Sequence, residues 1–460
     1  MMQMNDIKSV YFIGIGGIGM SALARFFKFE GKNVAGYDRT STVLTKELEQ
    51  EGIAIHYTDD RNKIALCYRD KSSALIVYTP AIADDHSEWQ YFRSNGFTIR
   101  KRAEVLGLLT QKNNGVCVAG THGKTTISTM TAHLYTESEV GCSAFLGGIS
   151  NNYKTNFLHS HHSPYVVLEA DEFDRSFLHL KPHFALISAM DADHLDIYGD
   201  EQQVKAAFNQ FVQKIQPGGA LVYKAGLPLD EVDEDVELFT YSLEGESDFY
   251  ATNIKLIDGL YQFDVISPFG KIRKLKLGIP GLVNVENAIG AIALALLGEV
   301  DEEEIRNSLA GFKGIRRRFE YKIKTEKLVM IDDYAHHPEE INAILASVKD
   351  IYPDRKISVV FQPHLYTRTR DFAAGFAAAL DVADQVFLLD IYPARELPIE
   401  GVSADIIREK MQLKQVEIVS KEDLMDKVKV SKPEVLLTLG AGDIDKIVPA
   451  LAVELELFIK

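Results

Sequence analysis

Short apolar runs alternate along the chain with longer segments whose apolar positions recur at helical spacing. SVYFIG (9–14) is apolar and ends in glycine, and MSALARFFKFEG (20–31) has helical spacing closed by a glycine. NVAGYD (33–38), ALIVYT (74–79) and FTIR (97–100) read as further strands, with helical patterns between them. Strands alternating with helices predict a parallel sheet covered on both faces. The cycle restarts near Asn114, where GVCVAG is a buried strand and KTTISTMTAHLYTES a helix. YVVLEA (165–170) and FALIS (184–188) follow as strands. From about 218 to 279 short alternating segments such as GLYQFDVI (259–266) predict antiparallel β structure. GLVNVENAIGAIALALLGEV (281–300) predicts a long apolar helix. Near residue 316 the alternation resumes, with KLVMID, KISVVFQ, DQVFLLD and EVLLTLG as strands.

The expected fold class is therefore α/β in three domains, 1–107, 108–315 and 316–460. The first and last are Rossmann-like; the central one is of P-loop ATPase type with a mixed or antiparallel β portion. A length of 460 residues suits this count at ~150 residues per domain. The net charge of −16 argues against a nucleic-acid partner, which normally meets a basic surface. The basic run KGIRRRFEYKIK (313–324) reads as a solvated linker or a strand edge. Cys67, Cys117 and Cys142 read as buried small hydrophobes in a reducing compartment. No apolar run reaches membrane-spanning length and the N-terminus shows no leader pattern, so the expectation is a cytoplasmic protein with no membrane partner.

Two glycine loops carry the first candidate chemistry. GIGGIGMS places Gly14, Gly16, Gly17 and Gly19 between a strand and a helix, and Asp38 ends the next strand. Glycines let the backbone approach a diphosphate at the helix start, and the acidic residue can accept from ribose hydroxyls. A glycine turn made for packing alone is the plain alternative. The second loop, GVCVAGTHGKTTIS (115–128), fails the standard G-x-x-x-x-G-K-[ST] pattern because Val118 stands where the first glycine belongs. The shorter Gly120, Thr121, His122, Gly123, Lys124, Thr125, Thr126 still offers backbone N–H groups, a lysine for outer phosphates and a hydroxyl for Mg²⁺.

LEADEFDRSF (168–177) brings Glu169 to a strand end, the expected place for a second Mg²⁺ ligand. Asp171, Glu172 and Asp174 read individually as a solvated acidic loop. In DADHLDIYG (191–199) His194, flanked by Asp193 and Asp196, is a candidate metal ligand. Asn284 and Asn287 share one face of an apolar helix, where they either cap its start or reach a ligand. GIRRRFE (314–320), MIDDYAHHPEE (330–340), FQPHLYTRTRDF (361–372) and GAGD (440–443) gather arginines and histidines at strand ends. Arginine forks suit carboxylates and phosphates, so these motifs predict one ligand-facing edge.

Together these motifs resemble the Mur ligases, the ATP-dependent amino-acid ligases of peptidoglycan precursor synthesis, over nearly the whole chain. G-T-x-G-K-T-[TS] is that family's own phosphate loop. The stretches EADEFDRSFLHL, DADHLDIY, DDYAHHP and above all FQPHLYTRTRD resemble the members that join L-alanine to UDP-N-acetylmuramate. The resemblance implies UDP-sugar binding by Gly14 to Gly19 and Asp38, and ATP binding by residues 120–126. It places Lys124 on the phosphates, with Thr125, Glu169 and His194 on metal. It further implies ATP contacts from Asn284, Asn287, Arg318 and Asp333, and L-alanine contacts from Tyr334, His336 and Arg368. The implied partners are UDP-N-acetylmuramate, L-alanine and ATP with Mg²⁺, acting on a monomer or homodimer.

Three positions depart from the family pattern: Leu365 and Val283 stand where relatives carry arginine and histidine, and Phe173 where serine is common. AAFNQF (206–211) lacks the lysine that several relatives carbamylate, so no carbamate is expected. A ligase that attaches a whole tripeptide to the same UDP-sugar is the near alternative. An NAD-dependent oxidoreductase built on the first loop is a remote one, since it leaves Lys124, Glu169 and His194 without a role.

Overall fold

The computed structural model describes residues 4–80, 82–191, 195–243, 245–394 and 396–459. The chain packs as two units, one of Met1–Ile254, Gln262–Leu277 and Glu286–Lys313, the other of Lys255–Tyr261, Gly278–Val285 and Gly314–Lys460.

The first unit opens with a five-stranded sheet in the order β3-β2-β1-β4-β5. Its strands are β1 (Ser9–Ile13), β2 (Asn33–Tyr37), β3 (Ala54–His56), β4 (Ala74–Tyr78) and β5 (Thr98–Lys101). All pair in parallel, and β1 is buried along its whole length, as a strand covered on both faces must be. The register sets Ile13 beside Tyr37 and Tyr78, so the glycine loop, Asp38 and Thr79 emerge on one edge.

The second sheet has ten strands in the order β15-β14-β13-β12-β11-β10-β6-β9-β7-β8. They are β6 (Asn114–Ala119), β7 (Ser143–Phe145), β8 (Phe157–Leu158), β9 (Tyr165–Glu169), β10 (Phe184–Ile187) and β11 (Ala220–Lys224). β12 (Glu237–Ser242), β13 (Phe249–Ile257), β14 (Leu260–Ser267) and β15 (Gly270–Lys276) complete it. The antiparallel expectation for 218–279 holds only for its end. β11 pairs in parallel with β10 and with β12, and β12 in parallel with β13, whereas β14 and β15 are antiparallel. The helix Glu201–Val212 is the crossover that forces β11 parallel to β10, while a tight turn after Ser267 lets β14 and β15 reverse.

One hydrophobic core runs through both sheets of this unit, from Ile7 and Phe12 to Phe208 and Val236. Phe26, on the helix Ile18–Phe29, joins them through Phe145 and Phe157 at ring separations of 5.6 and 6.1 Å. Each such pair adds about 0.5–1.5 kcal/mol beyond burial.

The second unit carries a six-stranded sheet in the order β16-β17-β21-β18-β19-β20. These are β16 (Glu320–Lys324), β17 (Val329–Asp333), β18 (Ile357–Phe361), β19 (Gln385–Leu388), β20 (Val416–Ile418) and β21 (Val435–Leu439). β16 is an antiparallel edge and the other pairs are parallel. β17, β18 and β21 are fully buried, and their cores use only residues of this sheet and its helices. The basic run therefore ends as the edge strand β16, but Arg317 within it is mostly buried against Asp332 at 3.1 Å. Cys117 and Cys142 are buried as expected; Cys67 is exposed, because it sits in a single 3₁₀ turn on the surface. No helix among the described residues is long and apolar enough to cross a membrane.

Candidate active site

In the ten-stranded sheet β6 lies between β9 and β10, both parallel to it. Val118 is level with Glu169 and Ala119 with Ile187, so the strand ends deliver Glu169, the loop 120–123 and Ser188 to one edge. Strand order switches sides at β6, with β9 added on one side of it and β10 on the other, the kind of crevice where α/β sheets take ligands. Gly120 (φ +132°) and Gly123 (φ +81°) hold backbone that disfavours any side chain. A Cβ on Gly120 would also crowd the Ser188 and Ala189 backbone nitrogens at 3.0 and 2.9 Å. Gly123 is the N-cap of the helix Lys124–Thr136 and supplies no side-chain cap, leaving the first N–H groups, through Thr126, available to an anion.

Loop shape is fixed from β10. The Thr121 N–H donates to the Ala189 carbonyl at 3.1 Å, and the Thr121 hydroxyl to Asp191 at 3.3 Å. His122 Nε2 lies 3.5 Å from the same carboxylate, and the Ser188 hydroxyl donates to the His122 carbonyl. Asn287, 8% exposed, brings its amide oxygen to Gly123, 2.9 Å from where a Cβ would stand.

Lys124 spans the loop, donating to the Gly120 carbonyl at 2.6 Å and to Glu172 Oε1 at 2.8 Å. Glu172 is 1% exposed, so it is no solvated acid: the stretch after β9 turns inward there. The turn is held by the Tyr198 hydroxyl, which donates to the Glu172 carbonyl at 2.6 Å. Burial pushes the Glu172 carboxyl above its ordinary range. Burial also opposes the charge on Lys124, but Glu172, Glu169 and Asp171 outweigh it and raise its pKa. We take the pair as ionised, because a bare lysine there would be far costlier than the pair. Asp171 and Asp174 are the partly exposed members, paired with Arg102 at 3.7 Å and Lys101 at 2.9 Å.

The Thr125 hydroxyl donates to Glu169 Oε2 at 2.9 Å. A hydroxyl and a carboxylate so placed fit a small hard cation that takes its remaining ligands from phosphate and water. Gly147 makes room for that carboxylate, since a Cβ there would overlap it. His194 and Asp193 lie outside the described residues, as does the side chain of Asp196. The 206–211 region packs inward, with Phe208 and Phe211 against Phe177 at ring distances of 5.3 and 5.0 Å.

In the five-stranded sheet Gly14 turns at φ +89° and Gly17 caps the helix Ile18–Phe29 without a side-chain bond. The Gly16 N–H donates to Asp38 Oδ2 at 2.7 Å, and the Thr40 N–H to Oδ1 at 3.1 Å. Asp38 thus fixes the loop from the end of the neighbouring strand. The Arg102 guanidinium fills the space a side chain on Gly19 would need, its Cζ 2.8 Å from the Cβ position. A guanidinium beside an uncapped helix start suits a diphosphate.

The second unit holds the other candidates. β17, β21 and β18 end level, Asp333 and Phe361 both beside Leu439, which gathers 333–340, 362–368 and 440–443 on one edge. Asp333 accepts from the Phe319 and Ala335 N–H groups at 2.7 and 2.8 Å, and burial raises its carboxyl to about 6. Arg318 lies over the Tyr334 ring at 5.4 Å and 3.6 Å from Glu340. His336 Nδ1 is 3.1 Å from the same glutamate. Burial works against charge on Glu340, but His336 and Arg318 hold it well below the ordinary carboxylate range. Arg368 lies in the first turn of the helix Tyr366–Leu380, whose N-cap Leu365 has φ +70°. Thr367 anchors that turn to Glu396 through its N–H and hydroxyl, at 3.0 and 2.5 Å. Asn284 donates to the Pro280 carbonyl at 2.6 Å, closing the start of its helix.

Three residues escaped the sequence reading. Glu172 carried a signal in its spacing from Glu169, but nothing marked it as buried. Arg102 opens a helix far along the chain from the loop it serves. Gly147 looks like any turn glycine until Glu169 is seen beside it.

Three family models match in succession: the Mur ligase family catalytic domain over residues 9–114, the Mur ligase middle domain over 118–295, and the Mur ligase glutamate ligase domain over 317–442. The chain is 52% identical over 452 residues to the UDP-N-acetylmuramate–L-alanine ligase of Phocaeicola vulgatus, covering 98% of each. The crystal structure of the UDP-N-acetylmuramate–alanine ligase of Thermotoga maritima superposes with a TM-score of 0.81 at 29% identity, covering 98% of this chain and all of that one. A murein peptide ligase from Psychrobacter arcticus, at 22% identity and TM-score 0.68 over 97% of this chain and 98% of that one, shares the fold. Shortened phosphate loop, three sheets and near-full-length identity agree, and the chain belongs to the Mur ligase family.

Proposed function

We propose that this chain joins L-alanine to the carboxylate of UDP-N-acetylmuramate, with ATP cleaved to ADP and phosphate, in cytoplasmic peptidoglycan precursor synthesis. The observation that carries the reading is the 52% identity, along nearly the full length, to a relative that bears that activity in its name. The division of labour we infer gives the UDP-sugar to 1–107, ATP to 108–315 and the amino acid to 316–460.

A carboxylate is a poor electrophile, so the γ-phosphoryl group of ATP is first transferred to it, giving an acyl phosphate. Lys124, held by Glu172 against the loop, moves its charge onto the transferring group and offsets the negative charge that develops there. Backbone N–H groups of 120–126 orient the phosphates. Mg²⁺ suits Thr125 and Glu169, with His194 as the further ligand the sequence pattern offers, and when bound it would screen phosphate charge. Tyr334, His336 and Arg368 orient L-alanine, Arg368 by its carboxylate. Its free amine then attacks the acyl carbon and phosphate leaves. Gly14 to Gly19, Asp38 and Arg102 hold the UDP end, and the protein works as a monomer or homodimer.

The test is ADP release by the purified protein with UDP-N-acetylmuramate and, in turn, L-alanine, L-serine, glycine or the tripeptide. Turnover highest with L-alanine supports the reading, and turnover with the tripeptide alone overturns it.

A further inference from the structure

The helix Ile18–Phe29, whose uncapped start adjoins the Gly14 loop, meets the ten-stranded sheet through a buried amide. Asn156 stands just before β8 and is 0% exposed. Its Nδ2 donates to the Ile18 carbonyl at 2.5 Å and to the Ser21 hydroxyl at 2.9 Å, and its Oδ1 accepts from the Arg25 guanidinium. Ile18, Ser21 and Arg25 share one face of the helix, at spacings of three and four. Both amide hydrogens and the amide oxygen are thus used, which leaves the side chain one orientation. Arg25 is itself fixed, because Glu51 accepts from its Nε at 2.9 Å and its Nη2 at 2.6 Å.

The backbone of Asn156 belongs to the phosphate-loop sheet. Its carbonyl accepts from the Leu146 N–H at 2.9 Å, and the next residue, Gly147, makes room for Glu169. β7, which leads into Leu146, runs beside β9, which ends in Glu169. Asn156 therefore ties the first turns of the sugar-loop helix to the strands that present Glu169. Docking alone does not account for it. Phe26 already packs the same helix on Phe145 and Phe157, but apolar contact is non-directional and leaves the rotation of the helix open. Desolvating the amide and the guanidinium offsets most of what their bonds return, so what the network adds is orientation.

We propose that Asn156 is a positioning residue for the UDP-sugar: from the sheet that carries the phosphate loop, it sets the direction in which the N–H groups of Ile18, Gly19 and Met20 meet the diphosphate. The inference rests on the assignment of the Gly14 loop to UDP-N-acetylmuramate. Being fully buried, Asn156 acts through the first turn of the helix and not on the substrate itself.

The experiment is calorimetric titration of UDP-N-acetylmuramate, and separately of a non-hydrolysable ATP analogue, into the full chain. Wild type, Asn156→Leu, Ser21→Ala and the double variant are compared. Leucine has the shape of asparagine, brings no charge toward the diphosphate and leaves Arg25 paired with Glu51. Asn156→Leu should raise the Kd for the UDP-sugar about fivefold, the equivalent of one buried hydrogen bond, and leave that for the ATP analogue unchanged. Ser21→Ala keeps the bond to Ile18 and should raise it about twofold, with the double variant little worse than Asn156→Leu. Loss of folded protein lowers the stoichiometry without moving the Kd of the remainder. Unchanged UDP-sugar Kd in the Asn156 variant, or an equal rise for both ligands, would therefore overturn the proposal. Should Asn156→Leu fail to fold, an unchanged Kd in Ser21→Ala would overturn it. Wild-type protein that binds no UDP-N-acetylmuramate would overturn the assignment of the loop, and the inference with it.

Discussion

Gly147→Ala separates catalysis from stability at a single atom. The glycine backbone is not in the left-handed region, so alanine meets no conformational strain there. Its Cβ would nevertheless stand 2.8 Å from Glu169 Cδ and closer still to Oε2. Carbon atoms pack at ~3.5–4.0 Å, so the carboxyl must retreat by about 1 Å. Since it terminates a flexible side chain, the retreat costs the fold little, and lower chain entropy in the unfolded state returns ~0.4–1 kcal/mol. The 2.9 Å Thr125–Glu169 bond is lost, and with it the oxygen pair suited to Mg²⁺. A displacement of this size costs about 10²-fold in rate, or ~2.7 kcal/mol of transition-state stabilisation. Steady-state ADP release against Mg²⁺ concentration should show kcat down about 100-fold and a higher Mg²⁺ requirement, with melting temperature unchanged or slightly raised. Adding Glu169→Asp, which shortens the side chain by one methylene, should recover part of the rate. A Gly147→Ala enzyme with wild-type kcat and Mg²⁺ dependence would refute the assignment of Glu169.

Lys124→Ala should abolish ligation while UDP-sugar binding survives, and should destabilise by ~3–5 kcal/mol because Glu172 is left buried and alone. Lys124→Ala/Glu172→Gln should regain most of that stability but no turnover; thermal melts beside ADP release decide, and recovered turnover would remove Lys124 from the mechanism. Gly16→Ala would push its Cβ to 2.8 Å from Asp38 Oδ2. The KM for UDP-N-acetylmuramate should rise about 10-fold or more, from loss of a charge-assisted bond of ~1.5–3 kcal/mol, with the KM for ATP unmoved. Asp333 has a raised pKa, about 6 against an ordinary 3.8. Between those values the folded chain keeps a proton the unfolded chain has released, so stability falls as pH rises through this window, by about 3 kcal/mol. Asp333→Asn should flatten that slope in urea unfolding of the second unit followed from pH 4 to 7, and an unchanged slope would show that Asp333 does not titrate there.

The parts legible in the sequence were those with local signatures. Apolar runs marked β1, β6, β17, β18 and β21 because buried parallel strands need apolar residues on both faces. The glycine turn before the helix Lys124–Thr136 was legible because its glycines, Lys124 and Thr125 are contiguous in the chain. Short strands such as β3, β7 and β8 were not, since a few residues carry no period. The parallel run of β11 and β12 was misread because alternation along a strand does not record the direction of its neighbour. Glu172 was missed for a deeper reason: a carboxylate is placed inside only by its partner, and Lys124 is distant in the chain.

The continuity of the core beneath the first two sheets has a thermodynamic consequence. Residues from Ile7 to Val236 share one apolar interior, while the six-stranded sheet keeps its own. A chain so built does not melt at one temperature but in blocks. UDP-sugar bound at the Gly14 loop would lift the transition of the block that also contains the Lys124 loop, by RT ln(1 + [L]/Kd), and leave the other where it was. Calorimetry with each substrate in turn would therefore report which cooperative block it engages, without any turnover.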